Sequence, residues 1–277
     1  MSRSFLDEMA EGSRERVRAA RRERSEAALE RETRHAPAPP ALRLDPRGFD
    51  LIAEFKLRSP AAGRLGAAAQ SVGSRVTEYA RAGAAAVSVL TEPTRFDGSL
   101  EHLASAAAAL APLGVPVMRK DFLVDPYQVL EARAAGAGGV LAIVRMLSRA
   151  GLEALLESAR AYGLFVLLEA FDARDLELVH ELIASHTGSN RLLAGVNCRD
   201  LGTLEVAPGR LLELAPRLPP SVPCVAESGV ASAADAREVA VAGYRLALVG
   251  SALMQGGDPG ALARTLIAAG RSAREAL

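Results

Sequence analysis

Two lysines stand in a chain whose other basic residues are all arginine: Lys56, two positions after Glu54 in AEFK, and Lys120 at the end of VPVMRK. Lysine is a compact proton donor whose pKa the surroundings can move, whereas a guanidinium stays protonated under almost all conditions. The two lysines are therefore candidates for general acid work. Further groups able to transfer a proton, donate a hydrogen bond or meet an anion close other apolar runs: Thr91, Glu169, Asn197, Glu227 with Ser228, and Gly250 with Ser251. Gathered at one place, Glu54, Glu169 and Glu227 would face Lys56, Lys120 and Arg199. Carboxylates beside a lysine hold its proton on, and partial burial is expected to bring its pKa back toward a working range.

These residues need a frame that gathers them. Eight short apolar runs alternate with longer amphipathic stretches: 50–56, 84–91, 115–120, 138–144, 164–169, 192–197, 223–228 and 246–251. Strands that are almost continuously apolar are buried on both faces, as in a parallel sheet covered by helices. Eight such units predict an α/β fold, a single closed (βα)8 barrel, rather than an open doubly wound sheet. In a barrel of this kind the strand C-termini meet in one mouth, where function is built. The fourth run ends on Val144 and is expected to supply an apolar wall. Asp125-Pro126 and Asp258-Pro259 predict helix starts, and Gly136 a helix end.

The last two loops, Glu227-Ser228-Gly229-Val230 and Val249-Gly250-Ser251-Ala252, put small residues directly after a strand. Small residues let backbone amides approach an anion, and the loops after strands seven and eight are the usual phosphate site of such barrels. The substrate is expected to be a small phosphorylated molecule.

Composition narrows the partners. The chain has 277 residues, 49% of them hydrophobic, and a formal net charge of zero, which argues against a nucleic-acid or anionic-membrane partner bound through bulk electrostatics. No apolar stretch approaches the ~18 residues of a membrane span, and the charge-dense start does not read as a secretory signal, so a soluble, cytoplasmic protein is expected. Cys198 and Cys224 lack metal or disulfide spacing and read as small buried hydrophobes; the four histidines form no paired-ligand pattern, so no metal site is expected. Residues 1–47 are expected to form an N-terminal helical extension and linker, a solvated arm with pairs such as Glu30 and Arg34 ended by APAPP at 36–40, and residues 48–277 the barrel.

The segments IAEFKLRSP (52–60), SVLTEPTRFDGS (88–99), PVMRKDFLVDPYQVLEARAAGA (116–137), LLEAFD (167–172), AGVNCRDLGTLEV (194–206), VAESGV (225–230) and LVGSALM (248–254) resemble indole-3-glycerol-phosphate synthase of tryptophan biosynthesis. The resemblance runs from about residue 50 to the C-terminus, and that family also carries an N-terminal helical extension. It implies a carboxy-lyase that closes the ring of 1-(2-carboxyphenylamino)-1-deoxyribulose 5-phosphate, losing carbon dioxide and water, with no cofactor or metal. By the same resemblance Lys120 looks like the general acid and Glu169 its partner in dehydration. Lys56 looks like a second cation near the phosphate and the reacting hydroxyls, while Glu54, Asn197 and Glu227 look like groups that orient the sugar and hold the lysines. Ser59, Arg199 and Ser228 match binding positions, as do Gly229, Gly250 and Ser251 around the phosphate, and Phe96 matches an aromatic that packs on the anthranilate ring. Four places depart from the family pattern: Gly138, where an acidic residue is frequent; Phe171, where histidine is common; Cys198, usually a second asparagine; and Tyr244-Arg245, usually small and acidic.

The residues by themselves also allow a Schiff-base aldolase, with Lys120 as nucleophile and Lys56 lowering its pKa. A phosphoribosyl isomerase on the same barrel and a non-catalytic paralogue that binds a phosphorylated ligand or a partner enzyme are the other readings. Association with other enzymes of the pathway, and oligomeric state, are unreadable from the sequence.

Overall fold

The computed structural model describes residues 4–61, 63–65, 71–186, 191–200, 203–207, 209–255 and 257–276. Its centre is a closed barrel of eight parallel strands: β1 (Asp50–Phe55), β2 (Ala86–Leu90), β3 (Val117–Lys120), β4 (Gly139–Ile143), β5 (Phe165–Ala170), β6 (Leu192–Asn197), β7 (Cys224–Glu227) and β8 (Leu246–Val249). The ladder runs in chain order and closes where β1 pairs with both β2 and β8. A closed ladder leaves no strand edge unpaired, and the predicted (βα)8 barrel is the fold observed.

Alternation along each strand sorts the side chains into two cores. Ile52, Met118, Leu141, Leu167, Val225 and Leu248 point inward and fill the barrel. Leu51, Val87, Val140, Leu168, Val196 and Ala247 point outward and pack against the surrounding helices. Moving two residues on from an inward apolar position keeps the same face. Hence Ile52, Met118, Leu167, Val225 and Leu248 are followed on that face by Glu54, Lys120, Glu169, Glu227 and Gly250. The barrel is sealed by hydrocarbon below, and the polar side chains form the layer above it.

The same rule corrects two expectations. Val144 is fully buried in the outer core; the wall of the mouth is made by inward-facing Leu141 and Ile143. Thr91 also turns away from the mouth, its hydroxyl donating to Asp121 at 2.8 Å and accepting from Arg119 at 3.1 Å.

The N-terminal segment forms two helices, α1 (Phe5–Glu23) and α2 (Glu26–His35), the second opened by the Ser25 hydroxyl, which accepts from the Ala28 amide. They are not a solvated arm. Met9, Ala10, Ser13 and Val17 of α1 and Leu29 of α2 are buried, because their spacing puts one stripe on the barrel while the arginines fan outward. Arg16 reaches Asp121 at 2.6 Å, the Tyr127 hydroxyl donates to Arg24 O at 2.8 Å, and Gln128 donates to the Ser13 hydroxyl at 2.9 Å. Glu30 and Arg34 do pair, at 3.5 Å on the exposed face, and α2 ends at His35, before the prolines.

The helix signals hold to within a residue. Asp258 caps Pro259–Glu275, while Pro126 itself occupies the cap of Tyr127–Ala134, with the Asp125 carboxylate accepting from the Tyr127 amide. Gly136, at φ +87°, turns the chain after that helix.

Candidate functional site

The mouth encloses a cavity of about 300 Å³, large enough for a small ligand. Apart from Thr91 and Val144, the residues expected at the mouth line it: Glu54, Lys56, Ser59, Phe96, Lys120, Glu169, Asn197, Arg199, Glu227, Ser228, Gly229, Gly250 and Ser251. These positions are spread over most of the chain, and barrel closure brings them together.

Lys120 closes β3 with its ammonium 3.1 Å from Glu227 Oε2 and 3.3 Å from Glu169 Oε1. Burial works against its charge, but the carboxylates of Glu169, Glu227 and Glu54 outweigh burial and hold its pKa above the usual lysine value. This corrects the expectation that burial would bring Lys120 down toward a working range: burial is the largest single influence, but three carboxylates together outweigh it. Glu227 moves the opposite way to an ordinary carboxylate: burial and the neighbouring Glu169 raise its pKa against the pull of Lys120. Its Oε1 is buried without a hydrogen-bond partner, and it occupies the space a side chain at Gly195 would need. A carboxyl in that setting gives up its proton less readily than an exposed glutamate, while Lys120 pulls the other way.

Asn197 is the hub beside this cluster. Its Nδ2 donates to Glu169 Oε1 at 2.9 Å, and its Oδ1 accepts from the Ser228 hydroxyl and the Arg199 amide, both at 2.9 Å. These three bonds fix the amide orientation and point the Glu169 carboxylate at Lys120. Ser228 can serve the hub because it adopts a left-handed conformation, φ +67°, followed by Gly229 at φ +73°. Arg199 spans the loop after β6, its guanidinium donating to Leu204 O at 2.7 Å.

Lys56 belongs to a second, separate pair, 2.5 Å from Glu54 Oε1. For Glu54, burial opposes ionisation, and Lys56, Lys120 and Arg199 together overcome it and keep the pKa low. Gly250 makes room for this pair: a side chain there would overlap the Glu54 carboxylate and come within 2.9 Å of Lys56 Nζ. Immediately after it, the short helix Ser251–Gln255 begins at the rim, and its first amides have no preceding helical carbonyls to bond.

The apolar side of the mouth holds three phenylalanines. Phe122 sits between Phe5, edge-on at 5.8 Å between centroids, and Phe96, tilted at 6.1 Å. Phe96 was legible in the sequence. Phe5 and Phe122 were missed, although Phe122 follows Lys120 by two residues and therefore sits over the same mouth. Phe5 had no local signal, since only the docking of α1 brings it there.

Asp121, also missed, lines the cavity and anchors the end of β3. It accepts from Arg16, Thr91, Arg119 and its neighbour's amide, Phe122 N. Burial disfavours its charge, yet Arg119 and Arg16 keep its pKa below the usual aspartate value.

The four places expected to depart from the family pattern lie outside the cluster of Lys120, Glu169 and Glu227. A side chain at Gly138 would meet Pro116 Cβ at 2.9 Å and Pro40 O at 3.0 Å, so the path of the linker leaves no room for an acid. Phe171 is buried under the Arg145 guanidinium at 4.8 Å. Cys198 is fully buried, as is Cys224 nearly so, and both thiols are free. Tyr244 is buried with its hydroxyl on Leu211 O at 2.8 Å. Among the described residues, no three His, Cys, Asp or Glu side chains are placed to hold a metal ion, and no helix is long and apolar enough to cross a membrane.

Comparison with known proteins agrees with this geometry. A family model described as indole-3-glycerol phosphate synthase matches residues 6–266. The chain is 42% identical over 268 residues to an indole-3-glycerol phosphate synthase of Parafrankia sp. (strain EAN1pec), covering 96% of each chain. It is 41% identical over 278 residues to that of Micrococcus luteus, covering 98% of this chain and 100% of the relative, and 39% identical over 271 residues to that of Mycobacterium tuberculosis, covering 96% and 95%. Among solved structures, thiamine phosphate pyrophosphorylase from Pyrococcus furiosus superposes with a TM-score of 0.57 at 18% identity, covering 82% of this chain and 96% of that one. That likeness is one of fold alone.

Proposed function

We propose, from the premise that the chain belongs to the indole-3-glycerol phosphate synthase family, that its mouth converts 1-(2-carboxyphenylamino)-1-deoxyribulose 5-phosphate to indole-3-glycerol phosphate by lysine and glutamate acid-base chemistry. The family is one of carboxy-lyases in tryptophan biosynthesis, and this chain is an enzyme of that class. The observation that carries the finer reading is the position of Lys120: an ammonium on the inward face, between two carboxylates, at the floor of a cavity with one aromatic side.

In this reading the carboxyphenyl ring lies against Phe5, Phe96 and Phe122. Its carboxylate-bearing carbon attacks the ketone carbon, and the ketone oxygen takes a proton from Lys120 as the new bond forms. A positioned acid of this kind typically contributes ~10²–10⁴-fold. Release of carbon dioxide returns the bonding electrons to the ring. The hydroxyl left on the former ketone carbon then departs as water, taking a proton from an acid of the cluster. Glu169, held by Asn197, removes the proton from the adjacent carbon and completes the indole.

Lys56, paired with Glu54, gives the phosphate end a cation. Ser59, Ser228 and Arg199 contact the sugar, while Gly229, Gly250 and Ser251 bring backbone close to the phosphate. The left-handed turn at Ser228-Gly229 and the helix start at Ser251 support that placement. The same proposal divides the chain into an extension, residues 1–47, and a catalytic barrel, residues 48–277.

Steady-state turnover of the carboxyphenylamino substrate by the purified chain, followed by the ultraviolet signature of the indole, tests the proposal. Indole-3-glycerol phosphate is the expected product. No indole, with Lys120 carrying reduced substrate after borohydride treatment of a keto phosphate, would replace it with the aldolase reading.

A further inference from the structure

At the end of the barrel remote from the mouth, two arginines lie together with no carboxylate partner among the described residues. Arg245 precedes β8 and Arg274 lies in the last turn of the helix Pro259–Glu275. Both reach toward the turn at Gly48: a Cβ on that glycine would stand 2.8 Å from Arg274 Nε and 3.9 Å from Arg245 Nε. Two guanidinium nitrogens thus lie within 4 Å of a single point. What they bond is thin. Arg245 gives one long bond, 3.3 Å, to Asp45 O, and its Nε is buried with no partner. Arg274 reaches only the carbonyls of Ala240 and Tyr244, at 3.3 and 3.5 Å.

The acids nearby are already used. The Asp45 carboxylate is bonded by Arg47 through both oxygens and by Arg271 at 3.2 Å, and Asp50 accepts from Arg271 at 2.9 Å. Glu275 lines the neighbouring cavity with Arg47 and Arg271 instead. Two positive charges held side by side without an anion repel one another, and a partly buried guanidinium is costly to leave unpaired. Arg274 registers this directly, since burial and the charge of Arg245 lower its affinity for its own proton. Beside the pair opens a cavity of about 510 Å³ whose rim is apolar, with Leu218, Pro219, Val222 and Pro223.

We propose that Arg245 and Arg274 form an anion site at the barrel end opposite the mouth, and that it takes the phosphate group of a small molecule whose apolar part rests on the Leu218–Pro223 rim. A phosphate dianion matches two unpaired guanidinium charges and accepts from several N–H groups at once. The inference does not rest on the reaction proposed for the mouth.

Equilibrium dialysis of the full chain with inorganic phosphate, at ionic strength held constant with chloride, tests the site. Wild type is expected to bind one phosphate per chain more than either Arg245→Asp or Arg274→Gln, with kcat unchanged in both variants. Whatever the mouth binds is common to all three chains, so the difference reads the remote site alone. Arg245→Asp supplies Arg274 with an internal carboxylate, and its melting temperature in phosphate-free buffer is expected to exceed that of wild type and to rise less when phosphate is added. Equal phosphate uptake by all three chains overturns the proposal. If one variant fails to fold, the other still decides it.

Discussion

At the mouth of the barrel, Lys120 lies 3.1 and 3.3 Å from two glutamates on β7 and β5, strands that do not pair with its own; at the opposite end, Arg271 is held by Asp50 at 2.9 Å, by Asp45 at 3.2 Å and by Phe49 O at 2.9 Å. Both clusters are part-buried and both balance charge. They differ in what the cation can do. A guanidinium fork fits its acceptors and keeps its protons, so the remote end is a fixed brace between β1 and the last helix. An ammonium between carboxylates can give a proton away and receive it back. Both lysines of the chain stand at the mouth beside carboxylates, while the brace at the remote end is built with arginine.

The comparison breaks most visibly at Lys120. Exchange to arginine keeps the positive charge and removes the transferable proton, and the expected result is a fall in kcat of at least about a hundredfold with little change in KM. Near-normal turnover would mean that the mouth, too, needs only a charge. The phosphate rim is tested by Ser251→Glu, whose like charge should raise KM about tenfold or more and change kcat far less; an unchanged KM would put the phosphate elsewhere.

Asp121 sharpens the contrast, because it sits at the mouth but is built like the remote brace. Asp121→Asn should lower stability at pH 7 by about 2–4 kcal/mol, since Arg119 and Arg16 lose their buried partner. The pH dependence has a definite sign. Arginines hold the Asp121 pKa below its unfolded value, so its contribution is present above about pH 4 and fades as the pH falls through the lower folded value. Denaturant melts of the two chains should therefore converge on acidification below about pH 4; a constant gap would contradict the assignment. The smallest effect is expected from Arg271→Ala, which removes the brace: roughly 1–3 kcal/mol of stability by the same melts, with kcat unchanged. A loss of turnover there would show that the two ends are coupled.

How much of the site was legible follows from which residues share a strand. Strand ends at Glu54, Lys120, Glu169, Asn197 and Glu227 could be read directly, because an apolar run that closes on a polar residue marks both the end of the strand and its content. Val144 and Thr91 were misplaced for a related reason: the end of a run was visible, but whether its last residue faces inward depends on parity within the barrel. Phe5, Asp121 and the docking of α1 left no readable mark. The segment 5–23 looks solvated when its charges are weighed alone, and its buried stripe matters only once Tyr127 and Gln128 provide a surface to receive it.

The sequence by itself determined the eight-unit barrel, the ring of polar and ionisable residues around its mouth and the family to which the chain belongs, because hydrophobic periodicity and strand-end chemistry are local properties. Tertiary structure alone decided which charges meet. Lys56 went to Glu54, Lys120 to Glu169 and Glu227, and Arg245 to Arg274 with no acid between them. Pairing of charge, and the pKa values that follow from it, depends on distances of a few ångströms between residues far apart in the chain. Only closure of the barrel sets those distances.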